Sequence, residues 1–261
     1  MVLISDKKKY LFIHIPKTGG MTIKKTIINQ DKDTKELENF SLKYNINNYF
    51  YISREYHYTY NELKNNLKNN FNNYYKFTFV RNPYDRLYST IQYIKKKNLF
   101  NNLLFNFQNF FIIFYTILIF LLVVKKKYVL LVILPFFKIY ILLIEVKFRD
   151  FNYIVKNYFN FIYKYIPYSL KPQYEYIKDS NINFIGRMEN FDNDFKFILN
   201  KFNYKIDIKS TNITNTNYLN MNNSNRNGSK YINKFNKETI DFVNKFYDKD
   251  FKEFNYKKIY I

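Results

Sequence analysis

The chain has 261 residues, 47% hydrophobic and 22% aromatic, which is enough apolar material for a buried core and excludes a disordered chain or a small disulfide-stapled scaffold. Cysteine is absent and only two histidines occur, so disulfides, thiolate nucleophiles and cysteine-held zinc or iron–sulfur sites are excluded, and no metal is expected. The formal charge of +21 suggests a nucleic-acid or membrane-surface binder. However, Lys, Asn, Ile, Phe and Tyr dominate while Ala and Trp are missing, as AT-rich codons produce. The excess charge is therefore read mainly as codon bias plus attraction for anionic ligands, and no nucleic-acid partner is expected.

In chain order, Met1 to Lys9 is short and polar and lacks the shape of an export signal, which makes a cytoplasmic location the expectation. Tyr10 to Ile15 (YLFIHI) is a strand closed by Pro16, followed by a tight KTGG loop and a helical MTIKKTII. Phe50 to Ser53 and Lys76 to Val80 are two further strands, with a helix over Thr59 to Asn69 between them. Asn82 caps, and Pro83 opens, a helix running to about Lys97. Residues 101–147 form an apolar insertion, in which Phe110 to Val124 and a second stretch broken by Pro135 and Lys138 flank Lys125 to Lys127. Each half is shorter than the roughly 20 residues of a spanning helix, and three readings compete: an apolar helical hairpin packed on the domain or in membrane contact through 110–144, a hydrophobic acceptor-side cover, or translated non-coding sequence. Phe148 to Tyr165 has helical spacing, Asn183 to Gly186 reads as a strand, Phe191 to Phe202 as a helix, Ser210 to Ser229 as a loop and Lys237 to Tyr247 as a closing helix. The whole predicts one α/β domain over 1–261. It is P-loop-like and three-layered, with a central, mostly parallel sheet flanked by helices and an apolar helical insert.

Two motifs carry chemistry. In His14-Ile15-Pro16-Lys17-Thr18-Gly19-Gly20-Met21-Thr22, between strand and helix, backbone N–H groups at a helix start, glycines and a lysine make a receptor for a tetrahedral anion. Lys17 precedes the glycines, so this is not the Walker pattern. In Val80-Arg81-Asn82-Pro83-Tyr84-Asp85-Arg86-Leu87-Tyr88-Ser89, Arg81 lies at the tip of a strand, on the edge where open sheets bind ligands. Its fork suits phosphate, and Ser89 lies about two turns into the following helix. Arg86 shares the face of Ser89, and the alternative reading makes Asp85 and Arg86 a surface pair.

Together, HIPKTGG and FVRNPYDRLYS resemble the membrane-type, carbohydrate-modifying branch of sulfotransferases that use 3′-phosphoadenosine 5′-phosphosulfate (PAPS). EYHYTYNELK, PQYEYI, FIGRMENFDNDF and KETIDFVNKFYDKDFKEFNY are similar to further blocks of that family. The resemblance implies that Lys17, Thr18, Gly19, Gly20, Met21 and Thr22 hold the 5′-phosphosulfate and that Arg81 and Ser89 grip the 3′-phosphate. The family usually has Thr-Ser where this chain has Met21-Thr22, which removes one hydroxyl. Arg187 and Glu189 match a block read as structural or acceptor-side.

The implied reaction is sulfuryl transfer to a hydroxyl of a carbohydrate or other acceptor, without a metal. Lys17 stabilises the leaving oxygen and His57, in the family's histidine segment, is the candidate base. His14 is read as a buried, hydrogen-bonded structural residue, and Glu55 and Glu62 are the reserve bases. The alternatives are a phosphoryl-transfer enzyme with an atypical loop, or a basic membrane- or nucleic-acid-binding protein without catalysis.

Overall fold

The computed structural model describes residues 1–36, 57–96, 146, 148–165, 167–205 and 229–261. The strand expected at Phe50 to Ser53, Glu55, nearly all of the apolar insertion and most of the Ser210 to Ser229 loop lie outside the described residues.

Strands β1 (Val2–Ser5), β2 (Tyr10–Ile13), β3 (Lys35–Glu36), β4 (Tyr75–Val80) and β5 (Phe184–Arg187) form one sheet in the order β3-β1-β2-β4-β5. β2, β4 and β5 are parallel, while β1 runs antiparallel to both of its neighbours. The mostly parallel sheet expected from the strand–helix rhythm is therefore present, with one strand reversed. β1 has little signature in the sequence, because Val2, Leu3 and Ile4 stand beside a polar, lysine-rich stretch. The lysines belong to the turn into β2, in which Lys9 adopts φ 53°, and all four β1 residues are buried.

Helices cover both faces of the sheet. On one, α1 (Gly20–Gln30) and a later helix, Phe191–Lys201, bring Ile23, Ile27, Phe191, Phe195 and Ile198 onto Tyr10, Phe12, Phe77 and Phe79. On the other, α2 (Tyr60–Leu67) and the 3₁₀ helix after it (Lys68–Asn73) set Tyr60, Leu63 and Phe71 against Val2, Ile4, Leu11 and Ile13. This alternation follows from the period of two along each strand, which sends successive side chains to opposite layers.

The third apolar cluster joins Ile15, two residues past β2, and Val80, the last residue of β4, to α3 (Pro83–Lys96), α4 (Phe151–Tyr165), and the C-terminal helices Lys237–Phe246 and Asp248–Glu253. We label the Phe191–Lys201 helix α5 and these last two α6 and α7. The starts of three helices are set by short polar residues. Thr59 and Glu62 form a reciprocal capping box on α2, Asn82 Oδ1 accepts from the Tyr84 amide, and Asn236 accepts from the Thr239 amide. Among the described residues no helix is long and apolar enough to cross a membrane.

The sheet's middle depends on aromatic packing. Phe77 of β4 is fully buried, stacks on Phe12 at 5.0 Å and meets the tilted ring of Tyr10 at 5.9 Å. Truncation there leaves a void between strand and helix layer that the sheet cannot close. Phe77→Ala is expected to lower unfolding free energy by about 3–5 kcal/mol in a denaturant titration.

Candidate active site

The loop from His14 to Gly19 leaves β2 and enters α1. Its carbonyls are taken up by side chains from four places. His14 O accepts from His57 Nδ1 at 3.2 Å, Ile15 O from the Thr18 hydroxyl at 2.7 Å, Pro16 O from Arg86 Nε at 3.1 Å and Lys17 O from Arg81 Nη1 at 3.4 Å. The last is long and weak, the others are ordinary bonds. With these acceptors occupied, the loop's negative ends are compensated. The first turn of α1 contributes N–H groups that helix geometry leaves without partners inside the helix, and no side chain caps it. A phosphate or sulfate ester fits such a receptor.

Both glycines are required sterically. Gly19 sits at φ 81°, and a Cβ on it would come within 2.8 Å of Met188 Sδ and the Phe191 ring. A Cβ on Gly20 would come to 2.1 Å from the His14 imidazole. Lys17 also adopts a positive φ of 70°, a strained state for a residue with a Cβ. The Thr18 hydroxyl is spent on holding the loop shut. Met21 is 59% exposed, so the side chain that departs from the family pattern faces outward, and Thr22 is half-buried.

Arg81 follows the last residue of β4. Because Ile13 of β2 pairs with Thr78 of β4, whose hydroxyl also bonds Ile13 O at 2.7 Å, the two motifs leave the same edge of the sheet on adjacent strands. Residues far along the chain hold the turn. Gln173 binds both backbone groups of Arg81, each at 2.8 Å, and is itself anchored by Asp250, which accepts from the Gln173 and Tyr174 amides at 2.8 Å. Glu189 accepts from the Asn82 amide at 2.7 Å and from the Tyr256 hydroxyl at 2.9 Å. Gln173 and Asp250 were not singled out in the sequence, although Gln173 lies in the PQYEYI block. Ser89 is half-buried on α3.

Asp85 and Arg86 are not a surface pair, since each is 1% exposed. Asp85 accepts from the Ser229 hydroxyl and from the amides of Lys230 and Tyr231, which draws that segment against α3. Lys230 is thereby brought near Arg81, and burial together with that cation lowers its ammonium pKa. Arg86 gives its remaining N–H groups to Lys171 O at 2.9 Å and Ser169 O at 3.2 Å. Arg187 donates to Phe254 O at 2.6 Å and lies over the Tyr256 ring, so its contacts are structural.

His57 is buried beside the loop, its ring 4.9 Å from that of His14. A carbonyl can only accept, so the bond to His14 O places the proton of a neutral ring on Nδ1 and leaves Nε2 as the basic nitrogen. His14 is buried as expected, but its Nδ1 has no hydrogen-bond partner among the described residues. Burial first, then the neighbouring His57, Lys17 and Arg86, hold its pKa well below 6.5, so it remains neutral. The reserve base Glu62 is committed to the α2 cap.

Two outcomes follow. Gly20→Ala is expected to cost about 1–3 kcal/mol in denaturant unfolding through its clash with His14. In a His14→Ala background the same change should cost markedly less, the two substitutions being non-additive by about 1 kcal/mol or more. Burial raises the Glu189 pKa above its ordinary 4.5. Its folded pKa being the higher, its contribution to stability is complete below the unfolded value and is lost as pH rises through the folded one. Relative to wild type, Glu189→Gln should therefore gain stability as pH rises above the ordinary 4.5, read from melting temperatures across a pH series.

Residues 1–115 match the sequence model of the Sulfotransferase family, a span that takes in both motifs. No curated protein and no solved structure matches the chain. The family match, on a mixed α/β sheet whose two motifs meet at one edge, supports a sulfotransferase domain, and with it transfer of a sulfuryl group from a sulfonate donor to a hydroxyl-bearing acceptor.

Proposed function

We propose that this chain transfers a sulfuryl group from PAPS to a hydroxyl of a carbohydrate acceptor. The observation that supports the reading is the parallel pairing of β2 with β4, Ile13 opposite Thr78, which sends the His14–Gly20 loop and the Arg81 turn off the same sheet edge, side by side as a doubly anionic nucleotide needs. In this reading Lys17, Thr18, Gly19, Gly20, Met21 and Thr22 surround the 5′-phosphosulfate, while Arg81 and Ser89 hold the 3′-phosphate.

PAPS supplies the sulfuryl group and retains the electron pair of the broken S–O bond on its leaving phosphate oxygen. Lys17 offsets the charge that gathers there. His57 accepts the acceptor's proton at Nε2 as the new O–S bond forms, and His14 O steadies the imidazolium through Nδ1. Because His14 stays neutral, His57 acquires its charge without facing a second imidazolium.

The test is incubation of purified protein with labelled PAPS and a panel of glycans and phenols. Lys17→Ala and Arg81→Ala are expected to lose donor binding and turnover. His57→Ala should keep donor binding and lose about 10²–10⁴-fold in transfer. Full activity in all three variants would reject the assignment, and sulfation confined to phenols would replace the carbohydrate acceptor.

A further inference from the structure

The Lys17 ammonium lies 4.0 Å from the centroid of the Tyr93 ring. Tyr93 is on α3, four residues after Ser89 and seven after Arg86, a spacing that puts all three on one side of the helix. We infer that Tyr93 is a positioning residue for Lys17, its aromatic face holding the ammonium at the mouth of the anion loop. This rests on the donor reading above, in which Lys17 meets the phosphosulfate.

The physical case begins with what a lysine at this place requires. Its side chain has four rotatable bonds, and a charge that sweeps through solvent stabilises a transition state less well than one already in position. An acidic partner would fix the ammonium but cancel its charge and compete with the donor. An aromatic face attracts the cation through its quadrupole without cancelling the charge or drawing on the N–H donors. The surroundings agree with a residue under constraint. Lys17 has a left-handed backbone, its carbonyl is bonded by Arg81, and the preceding carbonyl, Pro16 O, is bonded by Arg86, two helical turns before Tyr93 on the same face. α3 thus grips the loop twice, at the Pro16 main chain through Arg86 and at the Lys17 side chain through Tyr93. Tyr93 is half-buried, so replacing it leaves the core helix contacts of Leu87, Ile91 and Ile94 in place.

The experiment compares wild type, Tyr93→Phe and Tyr93→Leu by two readouts. In protein whose lysines carry ¹³C-methyl groups, the Lys17 resonance, assigned by its loss in Lys17→Arg, should be shifted upfield by the ring in wild type and Tyr93→Phe and return to the ordinary lysine position in Tyr93→Leu. In steady-state kinetics Tyr93→Leu should raise the KM for PAPS and lower kcat by a combined factor of about 3–10 with the acceptor KM unchanged, while Tyr93→Phe stays within about twofold of wild type. A Lys17 resonance indifferent to Tyr93→Leu, or a Tyr93→Leu enzyme with wild-type donor kinetics, would overturn the inference. Wild-type protein that binds neither PAPS nor adenosine 3′,5′-bisphosphate would overturn the donor reading instead, and the Lys17 resonance would still decide whether Tyr93 holds the ammonium.

Discussion

Parallel pairing of β2 with β4, with Ile13 opposite Thr78, is the constraint from which the site follows. Parallel neighbours end at the same edge, so the loop after β2 and the turn after β4 emerge together although more than sixty residues separate them in the chain. From there Arg81 and Arg86, both in the second motif, reach main-chain carbonyls of the first. A slip of one residue along this pair would invert which side chains enter each layer and carry Arg81 away from Lys17.

The loop is shaped by donors directed at its carbonyls. His57, Thr18, Arg86 and Arg81 serve four consecutive residues, and three of these four donors come from outside the loop. Burying the Arg86 guanidinium is costly. Three carbonyl dipoles compensate it, and so does the carboxylate of Asp250, whose pKa burial raises and Arg86 draws back down. That arrangement adds fixed positive potential beneath the His14–Gly19 loop.

The C-terminal half completes what the N-terminal half begins. The family match ends at residue 115, yet the residues that hold the Arg81–Asn82 turn are Gln173, Glu189, Asp250 and Tyr256. Each bonds a backbone group of the turn or the residue that does so. The turn is therefore held by groups brought in by the segment after β5, the α4–β5 connection and the C-terminal region.

Much of this was legible in the residues themselves. The helix starts at Thr59, Asn82 and Asn236 follow from local hydrogen-bonding chemistry, and the loop around Gly19 and Gly20 from the scarcity of glycine elsewhere, since such signals act over a few residues. The strand at Val2–Ser5 was hidden because three apolar residues beside a lysine turn carry too little periodicity, and only pairing with β2 and β3 buries them. The fates of Asp85, Arg86 and Gln173 were also beyond the sequence. Charged and polar side chains look solvent-bound until the chain brings a carbonyl, an amide or a second turn to meet them, and those partners lie between 70 and 146 residues away. Local chemistry thus wrote the glycine loop after β2 and the arginine turn after β4, and tertiary packing alone decided that they meet, because hydrogen bonds between distant main-chain groups leave no pattern in the order of the residues.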